Sequence, residues 1–240
     1  MPNLPTASRP IAAAAAVLLL AACGSKPADK DDADTGSSAA DSLAAAKKTL
    51  DATSGVTLEL SSKGVPDDVT ALLEGVGILT HGEQGPAFDG TITVQVAGLK
   101  PDVPIIAVDG KVYAQVPLTT GWQTIDPSAY GAPDPAQLLA TSGGLSDWLT
   151  ATTGVAKGDT VRGGAGNKEL LTTYTGTLPA ASAKLLVPMV AGDLDATYLV
   201  TDDDQLREVE LTGDVYGTGD TETYTVDLDD YGTTTDIKAP

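Results

Sequence analysis

The chain has 240 residues, with 33 acidic against 14 basic side chains for a formal charge of −19, and it is 42% apolar but only 4% aromatic. So acidic a chain excludes a nucleic-acid binder, which needs a basic face, and adhesion to anionic lipid headgroups by charge. With one cysteine in the whole chain there is no disulfide framework and no thiolate metal centre.

Residues 1–22 read as a secretory signal. Arg9 is the only charged side chain in them, and an apolar run follows over 11–22, shorter than the roughly 20 residues a spanning helix needs. The run ends in Leu20-Ala21-Ala22-Cys23, the pattern of a bacterial lipobox. It implies a diacylglyceryl thioether on Cys23, cleavage before Cys23 and acylation of the new amino terminus. Two or more acyl chains anchor stably, at ~0.8 kcal/mol per buried methylene. The expected location is therefore the extracytoplasmic face of the cell membrane, with Cys23 committed to anchoring. Residues 23–40 are the lipidated cysteine and a tether rich in Ser, Asp, Lys, Ala and Gly without hydrophobic period. Asp29, Asp31, Asp32 and Asp34 read as a self-repelling solvated run, since no glycine or carbonyl framework of a calcium loop surrounds them.

The expected folded domain is 41–240, large enough for one real core. A helix starts at Asp41 and places Leu43, Ala46 and Leu50 on one face. Ser54-Gly55 ends it. Residues 56–60 alternate as a half-buried strand. Residues 72–80 carry apolar spacing that suits either a helix or a strand, and Gly75 and Gly77 favour the strand, with a bulge or close approach. Gly85-Pro86 reads as a loop. Residues 90–96 are a strand with Ile92, Val94 and Val96 on one face. Strands 103–108 and 111–116 flank Asp109-Gly110, a type I′ hairpin signal, and 122–125 continues the sheet. The texture then changes to a Pro-rich loop with short helical pieces at 135–139 and 145–152, the second presenting Leu145, Trp148 and Leu149. Strands resume at 155–162 and 170–176, a short helix lies at 179–186, and strands at 194–200, 206–212, 222–228 and 234–237 complete an antiparallel series. Asp202-Asp203-Asp204 turns between two of them.

The order of these signals is specific. It runs from the lipobox and acidic tether to Val108-Asp109-Gly110-Lys111-Val112-Tyr113-Ala114, then Trp122, Asp126-Pro127, Tyr130 and Asp134-Pro135-Ala136-Gln137-Leu138-Leu139, then Gly144-Leu145, Gly176-Thr177-Leu178 and Ala196-Thr197-Tyr198-Leu199-Val200. Nearly end to end, it resembles the LppX/LprA/LprF/LprG-type lipoproteins of actinobacterial cell envelopes. The resemblance implies an α+β fold, a single antiparallel β half-barrel akin to bacterial lipoprotein carriers, wrapped around a few helices with an apolar cavity between. It implies carriage of acylated lipids, triacylated glycolipids or triacylglycerols, from the plasma membrane toward the outer envelope, in some members with a major-facilitator exporter as partner. No cofactor is implied.

On that basis the cavity candidates are Ile92, Val94, Val96, Ile106, Val108, Val112, Leu145, Leu149, Leu171 and Leu194, with Leu199 and Val209 also taken as inward-facing. Read from residues alone, these medium aliphatics favour a filled core, and the resemblance reverses that reading, so a scaffold lipoprotein contacting envelope proteins is the competing function. The helical pieces at 135–152 and 179–187 are candidates for a mouth or lid, or for rigid covers. Trp122, Tyr113 and Tyr130 could face a headgroup or pack in the core.

Catalytic signals are sparse. The single histidine, His81, sits in what reads as a polar loop. No Gly-x-Ser-x-Gly elbow occurs, and Gly163 to Gly166 lacks the Lys of a P-loop. The run from Asp227 begins like a calcium loop but has Lys238 where the closing Glu belongs. The expectation is a non-enzymatic binding protein.

Overall fold

The computed structural model describes residues 38–82, 85–130 and 132–240; the signal, Cys23 and the tether through residue 37 lie outside the described residues. The first helix, α1, spans Ala39–Ala52. It starts earlier than the acid-first reading suggests because Ser38 caps it. The Ser38 hydroxyl accepts the Asp41 N–H at 3.2 Å and the Asp41 carboxylate accepts the Ser38 N–H at 3.2 Å, a reciprocal cap worth ~1 kcal/mol. Its buried face is Leu43, Ala46 and Leu50, as the spacing requires.

Eleven strands follow, namely β1 (Gly55–Lys63), β2 (Ala71–Gly82), β3 (Gly85–Gln95), β4 (Asp102–Val108), β5 (Lys111–Ala114), β6 (Gln123–Ile125), β7 (Thr153–Gly163), β8 (Glu169–Leu178), β9 (Leu194–Thr201), β10 (Leu206–Gly213) and β11 (Glu222–Asp229). They form one antiparallel sheet in the order β6-β5-β4-β3-β2-β1-β11-β10-β9-β8-β7. The chain thus builds two meanders, β1 to β6 and β7 to β11, sharing a central seam where β1 pairs with β11. The sheet stays open, with β6 and β7 at its edges. So wide a twisted sheet curls, and one face wraps the helices. This is the expected α+β half-barrel.

Between the edges, residues 126–152 run back across that inner face. They hold 3₁₀ turns at Pro127–Tyr130 and Pro135–Leu139 and the helix α2, Leu145–Ala151. A one-turn helix, α3 (Ala180–Ala183), follows β8. Lys47 of α1 reaches Asp147 of α2 at 2.8 Å and Asp51 at 3.0 Å, stitching the two helices together. Residues 37–240 make one compact unit that contains every described element and its own core.

Three sequence expectations change. Gly85-Pro86 is not a loop but the start of β3, paired with Gly82 and His81. His81 therefore sits in β2, where its N–H donates to Ser54 O at 2.9 Å. Residues 234–237 form no strand. β1 and β11 are already paired on both sides, so the segment finds no free edge beside them and lies over the outer face of the sheet. There Ile237 is buried and shares a groove with Thr80, Ala87 and Val108.

Candidate functional site

The site grows from the β4–β5 hairpin. Asp109 and Gly110 have φ of 55° and 67°, the two positive values a type I′ turn demands. The turn pairs Val108 with Lys111 and Ala107 with Val112. Side chains alternate along a strand and share a face across a pair, so Val112 and Ala107 point one way and Val108 the other. The ladder then carries that register outward. Phe88 pairs Ala107, Gly90 pairs Ile105 and Ile92 pairs Val103, while Gly75, Gly77 and Leu79 of β2 pair Ile92, Gly90 and Phe88. All of these face inward.

Glycines hollow this part of the face. A Cβ on Gly77 would lie 2.6 Å from Phe88 Cε2, and one on Gly90 would lie 2.6 Å from Phe88 Cζ and collide with Val76 O. The chain's only phenylalanine ring thus lies over two glycines, and Gly75 beside them lines the cavity, where a Cβ would meet Ile92 Cγ2 and Leu60 Cβ at 3.7 Å. The result is an apolar cavity of about 190 Å³, lined from β1 to β6 by Leu58, Leu60, Leu72, Phe88, Ile92, Val94, Val103, Ile105, Val112 and Ile125. Pro127, Pro133, Pro135 and Leu138 cover it from the crossing segment, and Val96, Pro101, Val116 and Pro117 form its rim. Thr70 is the only polar side chain in the lining. The Asp134 carboxylate accepts the Ala136 N–H at 3.0 Å and starts the covering 3₁₀ turn; burial pushes its carboxyl up.

Of the ten candidate lining residues, Ile92, Val94, Val96 and Val112 come together in this cavity. Ile106 and Val108 do not. They lie on the outer face, because β4 is apolar on both sides and only its pairing decides which side is inside. Leu145 and Leu149 are buried in packed core under α1. Leu194 is buried on the inner face of β9, also in packed core. Leu171 pairs with Thr201 on the face opposite Tyr174 and Tyr198, beside Gly163. Val209 is core, and Leu199 alternates outward. Of the aromatic candidates, Tyr113 pairs Ile106 on the outer face, Trp122 is half-buried beside the rim loop, and the Tyr130 side chain lies outside the described residues. Sequence reasoning missed Leu72, Ile125, Leu58, Leu60, Phe88, Val103 and Ile105. Hairpin register, applied outward from Asp109-Gly110, is the signal that reaches the last three.

The other half of the inner face is filled. Trp148 of α2 donates its indole N–H to Ser182 O at 3.0 Å. Thr152 donates to Trp148 O at 2.8 Å and contacts the Tyr198 hydroxyl at 2.6 Å. Burial pushes the Tyr198 hydroxyl up to about 12. α2 and α3 are thus packed as rigid covers over the filled half, the second of the two alternatives for 145–152 and 179–187, and among the described residues it is the 126–139 segment that covers the cavity.

At the seam a polar cluster borders the cavity. Tyr224 donates to Leu72 O at 3.1 Å and meets the Tyr216 hydroxyl at 2.5 Å. Burial raises both phenols. Glu222 is fully buried; one oxygen accepts the Val215 N–H at 2.7 Å and the other has no partner. Among the described residues no group of His, Cys, Asp or Glu converges to hold a metal, and no helix is long and apolar enough to cross a membrane.

A protein-family model, LppX_LprAFG lipoprotein, matches residues 38–237. The chain belongs to the LppX_LprAFG lipoprotein family. Two solved relatives share its fold at low identity. LprF from Mycobacterium bovis superposes with a TM-score of 0.69 at 15% identity, covering 84% of this chain and 96% of that one. Lipoprotein LppX from Mycobacterium tuberculosis gives 0.60 at 14% identity, covering 83% and 98%. A search of curated proteins found no significant match. Family membership makes this an envelope-associated lipoprotein with the architecture of LprF and LppX.

Proposed function

We propose that this LppX_LprAFG lipoprotein binds acylated lipids, of triacylated glycolipid or triacylglycerol type, in the β1–β6 cavity and passes them through the cell envelope. Cys23 anchors the chain on the extracytoplasmic face of the membrane, and the tether, with a reach of roughly 20–25 Å, keeps the domain near its cargo. The observation that carries this reading is a cavity lined by aliphatic side chains, with one threonine as its only polar group, in a chain whose family is one of lipoproteins. Burial of acyl chains is favourable at roughly 25 cal/mol per Å², so carriage needs no catalytic group. An exporter of the major-facilitator type is the proposed supplier of cargo.

The volume constrains the mechanism. At about 190 Å³ the cavity is smaller than the roughly 300–1,000 Å³ of sites that enclose a small molecule. Loading a lipid with several chains therefore requires the 126–139 cover to lift. Three prolines in it (Pro127, Pro133 and Pro135) fix φ, so it moves as a stiff strap about its ends.

The same small volume favours the competing reading, a scaffold with a nearly filled core. Native mass spectrometry of the Cys23→Ser chain, purified from a lipid-producing host, separates the two. Carriage predicts lipid adducts that solvent extraction identifies. Protein mass alone, with no uptake or transfer of labelled glycolipid, makes it a scaffold.

A further inference from the structure

Two turns stand at the cavity rim. β3 leaves the sheet through Val96-Ala97-Gly98-Leu99, closed by Val96 N–H to Leu99 O at 2.9 Å and Leu99 N–H to Val96 O at 3.0 Å. β5 leaves through Val116-Pro117-Leu118-Thr119, closed by Thr119 N–H to Val116 O at 3.1 Å. The antiparallel order puts both at the same end of the sheet, opposite Asp109-Gly110. Val96, Pro101, Val116 and Pro117 line the cavity, while Leu99 is 68% exposed and Leu118 is fully exposed.

Folding does not account for Leu118. Its φ is 69°, a left-handed conformation that glycine adopts freely and leucine adopts at a cost. The side chain recovers none of that cost by burial. Strain held at a solvated apolar residue points to use.

Charge distribution supplies a second, independent observation. The chain has 33 acidic residues, yet 90–101 and 110–125, which contain both turns, have none. Lys100, at the foot of the first turn, pairs with Asp67 at 3.4 Å, so the turn presents no free charge. Asp67 and Asp68 stand in the neighbouring β1–β2 loop and limit insertion to the two turns. Trp122, half-buried in the β5–β6 connection, is the residue type that settles at a membrane interface.

We infer that the Leu99 and Leu118 turns are a bilayer-docking surface, inserting into the acyl region of a membrane so that the cavity rim opens onto hydrocarbon. This goes beyond the Cys23 anchor, which holds the domain near a membrane without orienting it. Acid depletion at the tips suits a surface rich in lipid phosphates, and continuity of the tips with the rim makes the docked lipid the entry path.

The test uses residues 37–240, which carry no anchor, and phosphatidylcholine vesicles. Co-sedimentation with vesicles is expected, as is quenching of Trp122 by acyl-brominated phosphatidylcholine while the buried Trp148 emission persists. Leu99→Asp with Leu118→Asp should lower vesicle partition at least tenfold at unchanged Tm. Leu118→Gly should lower it severalfold while Tm holds or rises. Absence of partition by the unmutated domain, or equal partition by the double variant, overturns the inference. So does a self-associated species in sedimentation velocity that the double variant abolishes, without vesicle binding. Lipid loading is read separately by native mass spectrometry, so loss of docking with retained adducts leaves carriage standing, and docking without adducts overturns carriage alone.

Discussion

The two halves of the inner face have the same strand chemistry and opposite fillings. Over β7 to β11 the wrapped face receives α1 and α2, and large side chains such as Trp148, Tyr198 and Leu149 close it. Over β1 to β6 the face carries Gly75 in the cavity lining and Gly77 and Gly90 beneath the Phe88 ring, a thin proline-rich strap lies opposite, and space remains. What separates a core from a cavity here is whether a helix or a strap lies on the sheet, and where glycines replace side chains. Aliphatic alternation is common to both.

That contrast sets the scale of mutational effects. The largest belongs to the filled half. Trp148→Ala should cost ~3–5 kcal/mol of unfolding free energy, read by denaturant titration, and leave lipid adducts on the folded fraction unchanged. Gly77→Ala comes next, because its Cβ would meet Asp89 O and Phe88 at 2.6 Å. A loss of ~1–3 kcal/mol is expected from overpacking, with the Phe88 ring pushed into the cavity and loading reduced. In the open half, Ile92→Trp should cut lipid loading by roughly tenfold or more, about 1.4 kcal/mol, while the domain stays folded by circular dichroism. Unchanged loading would mean the cavity is not the cargo site.

The smallest effect is electrostatic. On the outer face, register aligns Glu59, Asp227 and Glu208 across three adjacent strands. Desolvation, with the neighbouring acids Asp227 and Glu210, raises the Glu208 carboxyl, and desolvation with Glu59 and Asp229 raises that of Asp227. The folded state therefore binds these protons at higher pH than the unfolded chain does, and stability rises as pH falls into the carboxylate range. Asp147 acts in the opposite sense, since its hydrogen bond from Lys47 holds it low. The stability it contributes is present above its unfolded pKa and is lost as pH falls through its lower folded pKa. A melting series from pH 7 downward should thus rise by roughly 1–2 °C before falling at strongly acidic pH, the screened size expected for half-exposed groups. Asp227→Asn should flatten the rise.

Much of the fold was legible from the chain alone. α1, the β1 alternation and the Asp109-Gly110 hairpin all form where their local chemistry asks, because each depends on neighbours in sequence. The inward face of β4 was legible too, though not from its own residues. Val103, Ile105, Ile106, Ala107 and Val108 are apolar on both sides, but a two-residue turn forces Val108 and Val112 onto opposite faces, so naming both as inward contradicted the turn. Gly75 and Gly77 signalled a close approach without naming the ring that makes it. Which helical pieces cover the cavity was not legible, since it depends on where 126–152 crosses the face, a long-range matter with no local pattern. The assignment of Leu145 and Leu149 to the cavity failed for that reason.

The central seam has a consequence of another kind. Each meander is built from sequence neighbours, but β1 finds its partner β11 only at the far end of the described chain. Joining segments so distant carries a loop-closure cost of roughly 4–5 kcal/mol, and topologies of this sort fold slowly. A chain emerging amino-terminus first must wait for residues 222–229 before the sheet can become continuous. The strand order therefore allows the finished half-barrel to set only after its last strand has arrived, whatever local meander pairing precedes it.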